Sequence, residues 1–202
     1  KRIVTVILVM GIIVVIAVAG LFAYIALTTD KFDPNALKNQ DQTIVYDVNN
    51  EVIAKLGTEK RESVSYDQLP QVLIDAIVAT EDSRFFQHNG VDLPRFIKAT
   101  VYQLMGRSEA GGASTLTMQV SKNALTDTTS TGIKGIVRKF TDIYLSVFKI
   151  EKKYTKQDII ALYLNSEFLG NHSFGVEKAS QTYFGKSVKD LTLPEAALIA
   201  GL

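Results

Sequence analysis

The chain has no cysteine, so no disulfide supports it, and 22 Lys and Arg against 21 Asp and Glu leave no global charge to attract nucleic acid. Its two histidines, His88 and His172, are far apart and show no metal-site spacing. No internal repeat is present, and GGASTLTMQVSKN lacks the glycine spacing and the GK[ST] ending of a phosphate-binding Walker loop. At 202 residues the chain is long enough for one domain built on its own core, and any charged function must be local.

Charge is also missing from Ile3 through Leu27. At about 1.5 Å per helical residue this run spans roughly 37 Å, enough to cross a hydrocarbon core of about 30 Å with some tilt. Ala17-Val18-Ala19 resembles the small-residue pattern of a signal-peptide cleavage site, but the apolar run continues through LFAYIAL, which favours an uncleaved anchor. Lys1 and Arg2 precede the span while Asp30, Lys31 and Asp33 follow it, which predicts a cytoplasmic N-terminus and an extracytoplasmic remainder. The missing initial Met and the final apolar run EAALIAGL predict a natural chain that extends beyond both ends.

The expected organisation is a stub at residues 1–2, an anchor at 3–27, a polar linker at 28–42 and one domain at 43–202. TIVYDV and EVIAKL flank Asn49-Asn50 and predict a β-hairpin. From Leu69 the periodicity is helical. Helices are expected after Pro70, with Leu73, Ile74, Ile77 and Val78 as a buried stripe, and after Pro94, with Phe96, Ile97, Val101, Leu104 and Met105 apolar. Further helices are expected from Ser114-Thr115, over 133–151, 156–164 and 176–184, and from Pro194. GRSEAGGA and LTDTTSTG read as loops. The class is mainly α with one small β element.

Three stretches carry candidate chemistry. In EDSRFFQHNG, Glu81 follows Ile77 by four residues, so a continuing helix places it on the buried stripe, where partial desolvation fits a carboxylate to take or give a proton. A helix ending earlier would instead leave Glu81 and Asp82 in a solvated loop beside Arg84. His88 reads as a structural histidine in the turn with Asn89-Gly90.

In GGASTLTMQVSKN, Ser114 or Thr115 caps a helix whose free N–H groups form an anion site. Thr115, Met118, Gln119 and Lys122 then share one face, opposite Leu116 and Val120. In IKGIVRKFTDIYLSVFKIE, Ile136, Val137, Phe140, Ile143, Tyr144, Val147 and Phe148 form an expected buried face, while Lys134, Arg138 and Asp142 recur every four residues on another. Both polar faces read either as ordinary solvated surface or as a cradle for a polyanion.

Together with IIALYLNSEFLGNHSFGVEKASQTYFGK and LTLPEAALIAGL, these stretches resemble, in order and spacing, the motifs of the peptidoglycan glycosyltransferase family. That family is the domain of monofunctional transglycosylases and of class A penicillin-binding proteins. The resemblance runs from about Thr43 to the last residue and implies a mainly α, lysozyme-like fold behind a membrane anchor in the bacterial cell membrane.

It also implies polymerisation of lipid II on a lipid-linked growing glycan chain, with inversion to a β-1,4 linkage and release of undecaprenyl pyrophosphate. Glu81 takes the role of general base, supported by Asp82, Phe85, His88 and Gly90. Ser114, Thr115, Gln119, Lys122, Lys134, Arg138 and Lys139 become candidates for holding pyrophosphate and sugars. A divalent cation such as magnesium or manganese is implied with the pyrophosphate, but no organic cofactor. Membrane lipid and other cell-wall synthesis proteins are the implied partners.

Two positions depart from the family pattern. Asp142, implied as a second catalytic acid beside Glu81, stands where the family's Arg-Lys-x-x-Glu motif has a glutamate, and Met118 where many members have a glutamine. A lysozyme-like glycan hydrolase also needs an acid in an apolar cleft but has no use for a pyrophosphate cradle. The Asp142 substitution alone favours a catalytically silent scaffold.

Overall fold

The computed structural model describes residues 2–29, 37, 43–48, 52–56, 62–106, 112–126 and 131–202. Most of the expected linker, the Asn49-Asn50 turn and the middles of both polar loops lie outside the described residues.

Helix α1, Arg2–Thr28, is the one helix among the described residues long and apolar enough to cross a membrane. Most of its side chains are exposed. Only its last turns meet the domain, where Ile25 is buried and Phe22 packs edge-on against Phe140 at 5.7 Å between ring centroids. Strands β1, Thr43–Tyr46, and β2, Val52–Leu56, pair antiparallel from Thr43 opposite Leu56, with an irregularity between Val45 and Tyr46.

The remainder is helical: α2 Gln71–Glu81, α3 Leu93–Leu104, α4 Leu116–Leu125, α5 Gly132–Leu145, α6 Glu151–Lys153, α7 Lys156–Ser166, α8 Val176–Phe184 and α9 Leu193–Ala200. A π-helical turn, Ser146–Ile150, joins α5 to α6 without a break. Leu73, Ile74 and Ile77 of α2 are buried and pack toward Ala196 and Ile199 of α9, so the predicted stripe forms the core. Burial of each such side chain contributes about 1.5–3 kcal/mol. Helix α4 lies along α7, whose start is fixed by a reciprocal cap between Thr155 and Asp158 at 2.9 and 3.1 Å.

The expected burial of the apolar row on α5 is corrected. Ile136 is 57% exposed and Phe148 46%, while the side turned inward carries Asp142, Leu145, Ser146 and Ile150. Helix α4 packs on that inward side and presents Ser121, so polar partners there satisfy polar groups. Helix α3 has the same character, with Leu93, Ile97, Val101 and Met105 all exposed. Its apolar face therefore does not pack into the domain.

Candidate active site

Helix α2 continues through Glu81, and the chain then turns at Asp82. The two carboxylates part company there. Asp82 is fully buried at the start of α4, where its Oδ2 accepts the Leu116 N–H at 3.1 Å and lies 3.0 Å from His88 Nε2. Helix N-terminal donors stabilise a carboxylate in such a place. His88 Nε2 is placed to share a proton with this carboxylate, and its buried Nδ1 has no hydrogen-bond partner among the described residues.

Glu81 is half-buried and faces α4, where its Oε2 accepts the Gln119 side-chain amide at 2.7 Å. Arg95 reaches back from α3 and donates to the Glu81 carbonyl at 2.7 Å, fixing the end of α2.

The loop after Glu81 is held from several sides. Phe85 is fully buried, with Lys156 Nζ 4.3 Å above its ring. The same ammonium donates to the His88 carbonyl at 2.7 Å and pairs with Glu151 at 2.8 Å; Glu151 also accepts the Thr117 hydroxyl at 2.6 Å. Gly90 has φ +88°, and a Cβ there would lie 2.9 Å from the Ser146 carbonyl carbon. Thr115 Oγ1 donates to the Gly90 carbonyl at 2.6 Å and accepts the Met118 N–H at 3.2 Å as the cap of α4. Asp82, Phe85, His88, Gly90 and Thr115 thus form the frame that holds Glu81.

The expected polar face on α4 needs correction. Thr115 and Met118 are buried, because the cap and the packing against the loop consume them. The open part of the helix is Gln119, Lys122 and Asn123, with Gln119 half-buried and the other two exposed.

Across from it, Lys139 Nζ donates to Ser114 Oγ at 2.7 Å, joining α5 to the segment before α4. Burial pushes the Lys139 ammonium toward losing its proton, and the Asp142 charge opposes this. Asp142 is 2% exposed. It accepts from Ser121 at 3.2 Å and Thr126 at 3.0 Å, and Arg138 Nη1 lies 3.4 Å from its other oxygen. Burial pushes its carboxyl above the usual range, opposed by those hydroxyls and by the Arg138 and Lys139 charges. Asp142 holds Arg138 from within the protein and is not an open second acid. Lys134 is exposed one turn earlier on α5.

Two groups sequence reasoning missed stand beside Glu81. Glu167 ends α7 and accepts the Asn123 side-chain amide at 2.8 Å. Burial pushes its carboxyl up; the Asn123 bond and the Lys122 charge oppose this, and the Glu81 charge adds to it. Tyr163, one turn earlier and 4% exposed, has its hydroxyl pushed up by burial and by the charges of Glu167 and Glu81. A helix expected to end at 164 hid the i, i+4 relation of Tyr163 to Glu167.

A cavity of about 540 Å³ lies under the loop rather than at Glu81, lined by Arg84, His88, Leu93, Ile143 and Val147 among others. No three His, Asp or Glu among the described residues converge as a metal-holding group. The described residues alone do not make a site for a resident cation.

Glu81 thus stands on a buried frame, with Lys122 on the open face of the α4 helix that carries Gln119 and Lys139 of α5 near enough to feel the Lys122 charge. The family model described as Transglycosylase matches residues 49–202, and the chain belongs to that family, the peptidoglycan glycosyltransferases. It is 39% identical over 183 residues to penicillin-binding protein 1A of Streptococcus oralis, covering 91% of this chain and 28% of the relative. Identity to penicillin-binding protein 1A of Escherichia coli (strain K12) is 40% over 158 residues, covering 78% and 18%. The Vibrio cholerae protein of the same name is 37% identical over 193 residues, covering 94% and 23%. The chain thus spans less than a third of the length of these relatives.

Proposed function

We propose that the chain polymerises lipid II, with Glu81 as the general base. The observation that carries this reading is the Gln119 amide fixed on Glu81 at 2.7 Å on the same helical face as Lys122. The acceptor sugar's 4-hydroxyl oxygen attacks the anomeric carbon of the lipid-linked glycan chain. The bond from that carbon to the phosphate oxygen breaks with inversion, the pyrophosphate leaves with the electron pair, and Glu81 takes the hydroxyl proton. The leaving group develops negative charge opposite Lys122, Lys134, Arg138 and Lys139, where preformed cations lower the barrier most.

Asp142 acts by keeping Arg138 in place and Lys139 charged. A magnesium or manganese ion bound to the substrate's pyrophosphate would neutralise part of its charge beside Lys122, Arg138 and Lys139. The domain works outside the bilayer that α1 crosses, with the short N-terminus in the cytoplasm. The exposed apolar row of α3 rests on the membrane from which the polyprenyl substrate is drawn, a placement supported by the matching exposed row on α5 beside α1. Other cell-wall synthesis proteins are its expected partners.

The test is to incubate the detergent-solubilised chain with lipid II and a divalent cation and to resolve the products on a glycan gel. Polymer of increasing length is expected. Shortening of preformed glycan without polymer identifies a hydrolase, and no change in either identifies a scaffold.

A further inference from the structure

Helix α4 presents two side-chain amides one turn apart, and each holds a carboxylate. Gln119 donates to Glu81 at 2.7 Å and Asn123 donates to Glu167 at 2.8 Å. Residues four apart lie on the same helical face about 6 Å from one another, so the two acids stand side by side along α4. They come from elements distant in sequence, the end of α2 and the end of α7.

The position of Glu167 is firmly built. Its N–H donates to the Tyr163 carbonyl at 3.1 Å and its carbonyl accepts the Gly175 N–H at 2.9 Å. The loop that follows holds Asn171 and His172 at φ 45° and 52°. Such left-handed conformations are uncommon for residues other than glycine and are held here by their surroundings. Here Tyr183 donates its hydroxyl to the Leu169 carbonyl at 2.7 Å, and Ser173 bonds Thr182 at 3.1 Å.

We propose that Glu167 is a positioning residue of the base centre: held by Asn123 beside Glu81, its negative charge sets the pH at which Glu81 becomes an active proton acceptor. The proposal rests on the reading of Glu81 as the base. Two carboxylates one turn apart repel when both are ionised, so each loses its proton less readily than it would alone. An ionised Glu167 thereby makes Glu81 the stronger base once it is ionised. The charged and titratable groups facing the pair are Lys122 on α4 and Tyr163 on α7, with Arg95 of α3 on the Glu81 carbonyl. Burial favours the neutral form of Glu167, the Asn123 bond and the Lys122 charge favour its ionised form, and Tyr163 stays neutral between the two acids. Burial of Glu167 and its response to the Glu81 charge point the same way.

The experiment is the pH profile of the initial polymerisation rate on lipid II, for the wild-type chain and for Glu167→Gln, Glu167→Asp and Glu81→Gln. Glutamine keeps the shape of Glu167 and an oxygen for the Asn123 amide while removing the charge. Glu167→Gln is expected to move the acid limb about one pH unit lower and to reduce the plateau rate several-fold, with KM nearly unchanged. Glu167→Asp restores most of the wild-type limb.

An acid limb in Glu167→Gln that coincides with wild type, while Glu81→Gln is inactive, overturns the role of Glu167 and leaves the base intact. Loss of rate at all pH values without a shift overturns it as well, by making Glu167 merely structural. An active Glu81→Gln instead removes the base assignment itself, and this proposal with it.

Discussion

Gln119 donates its side-chain amide to Glu81 across the junction of α4 and α2 at 2.7 Å. This bond fixes one carboxylate oxygen and so the direction in which the proposed base faces. Replacing Gln119 with Met, of similar length but without a donor, is expected to lower kcat roughly 10- to 100-fold, part of the gain of a positioned base. The thermal midpoint should stay close to wild type, because Gln119 is only half-buried. Steady-state rates with a melting curve check both.

Asp82 is predicted to matter for stability before chemistry. Asp82→Ala leaves the Leu116 N–H and the His88 ring N–H without acceptors in a buried place, at about 1–3 kcal/mol each. Chemical denaturation of the variant should show a lowered midpoint with an unchanged slope.

Gly90→Ala meets two obstacles at once. Its φ of +88° is one that L side chains rarely adopt, and the added Cβ would lie 2.9 Å from the Ser146 carbonyl carbon. The expected loss is roughly 2–4 kcal/mol, with activity falling because the loop behind Glu81 must shift. Retained stability would mean that the π-helical turn can move away from the loop.

Asp142 predicts opposite effects on stability and activity. Its folded carboxyl holds a proton more readily than the ordinary value of 3.8, so folding favours the neutral form. Below the ordinary value both states are protonated and nothing is lost. As pH rises through the folded value the cost of the buried charge becomes fully present. Asp142→Asn, which mimics the neutral form, is therefore expected to melt above wild type at pH 7 and to lose that advantage as pH falls toward 3.8. Polymerisation should drop by at least about tenfold, because Arg138 and Lys139 lose their counter-charge. Melting curves at the two pH values and a rate at pH 7 test both halves.

The fold was legible where one period ruled a segment. Leu73, Ile74 and Ile77 repeat on one face and are buried, and α2, α3, α4 and α9 begin near their Pro or Ser/Thr signals. Burial on α5 was not legible. Periodicity reports which residues share a face, but the apolar face here looks toward α1 and open surface, while the side against α4 carries Asp142 and Ser146. The pattern is the same when lipid or protein covers an apolar row.

In the site, Glu81 was legible from its phase on α2, and Lys139 and Arg138 from their motif. The division of labour between Glu81 and Asp82 was not, since it depends on the N-terminus of α4, 34 residues further along. Thr115 and Met118 share a helical face with Gln119 yet are buried, because the loop packs across that end of α4. Glu167 lies inside the motif stretch IIALYLNSEFLG, but nothing in that stretch marks it as a neighbour of Glu81. Only the packing of α7 on α4 brings it to Asn123.

Proton transfer to the proposed base Glu81 is tested most directly by the initial rate of glycan polymerisation from lipid II by Glu81→Gln. Glutamine keeps the size of the side chain and an oxygen for the Gln119 amide but cannot accept the proton. The variant is expected to fold, to bind lipid II and to make no polymer above background. Polymer formed at a rate within a few-fold of wild type would contradict this role of Glu81.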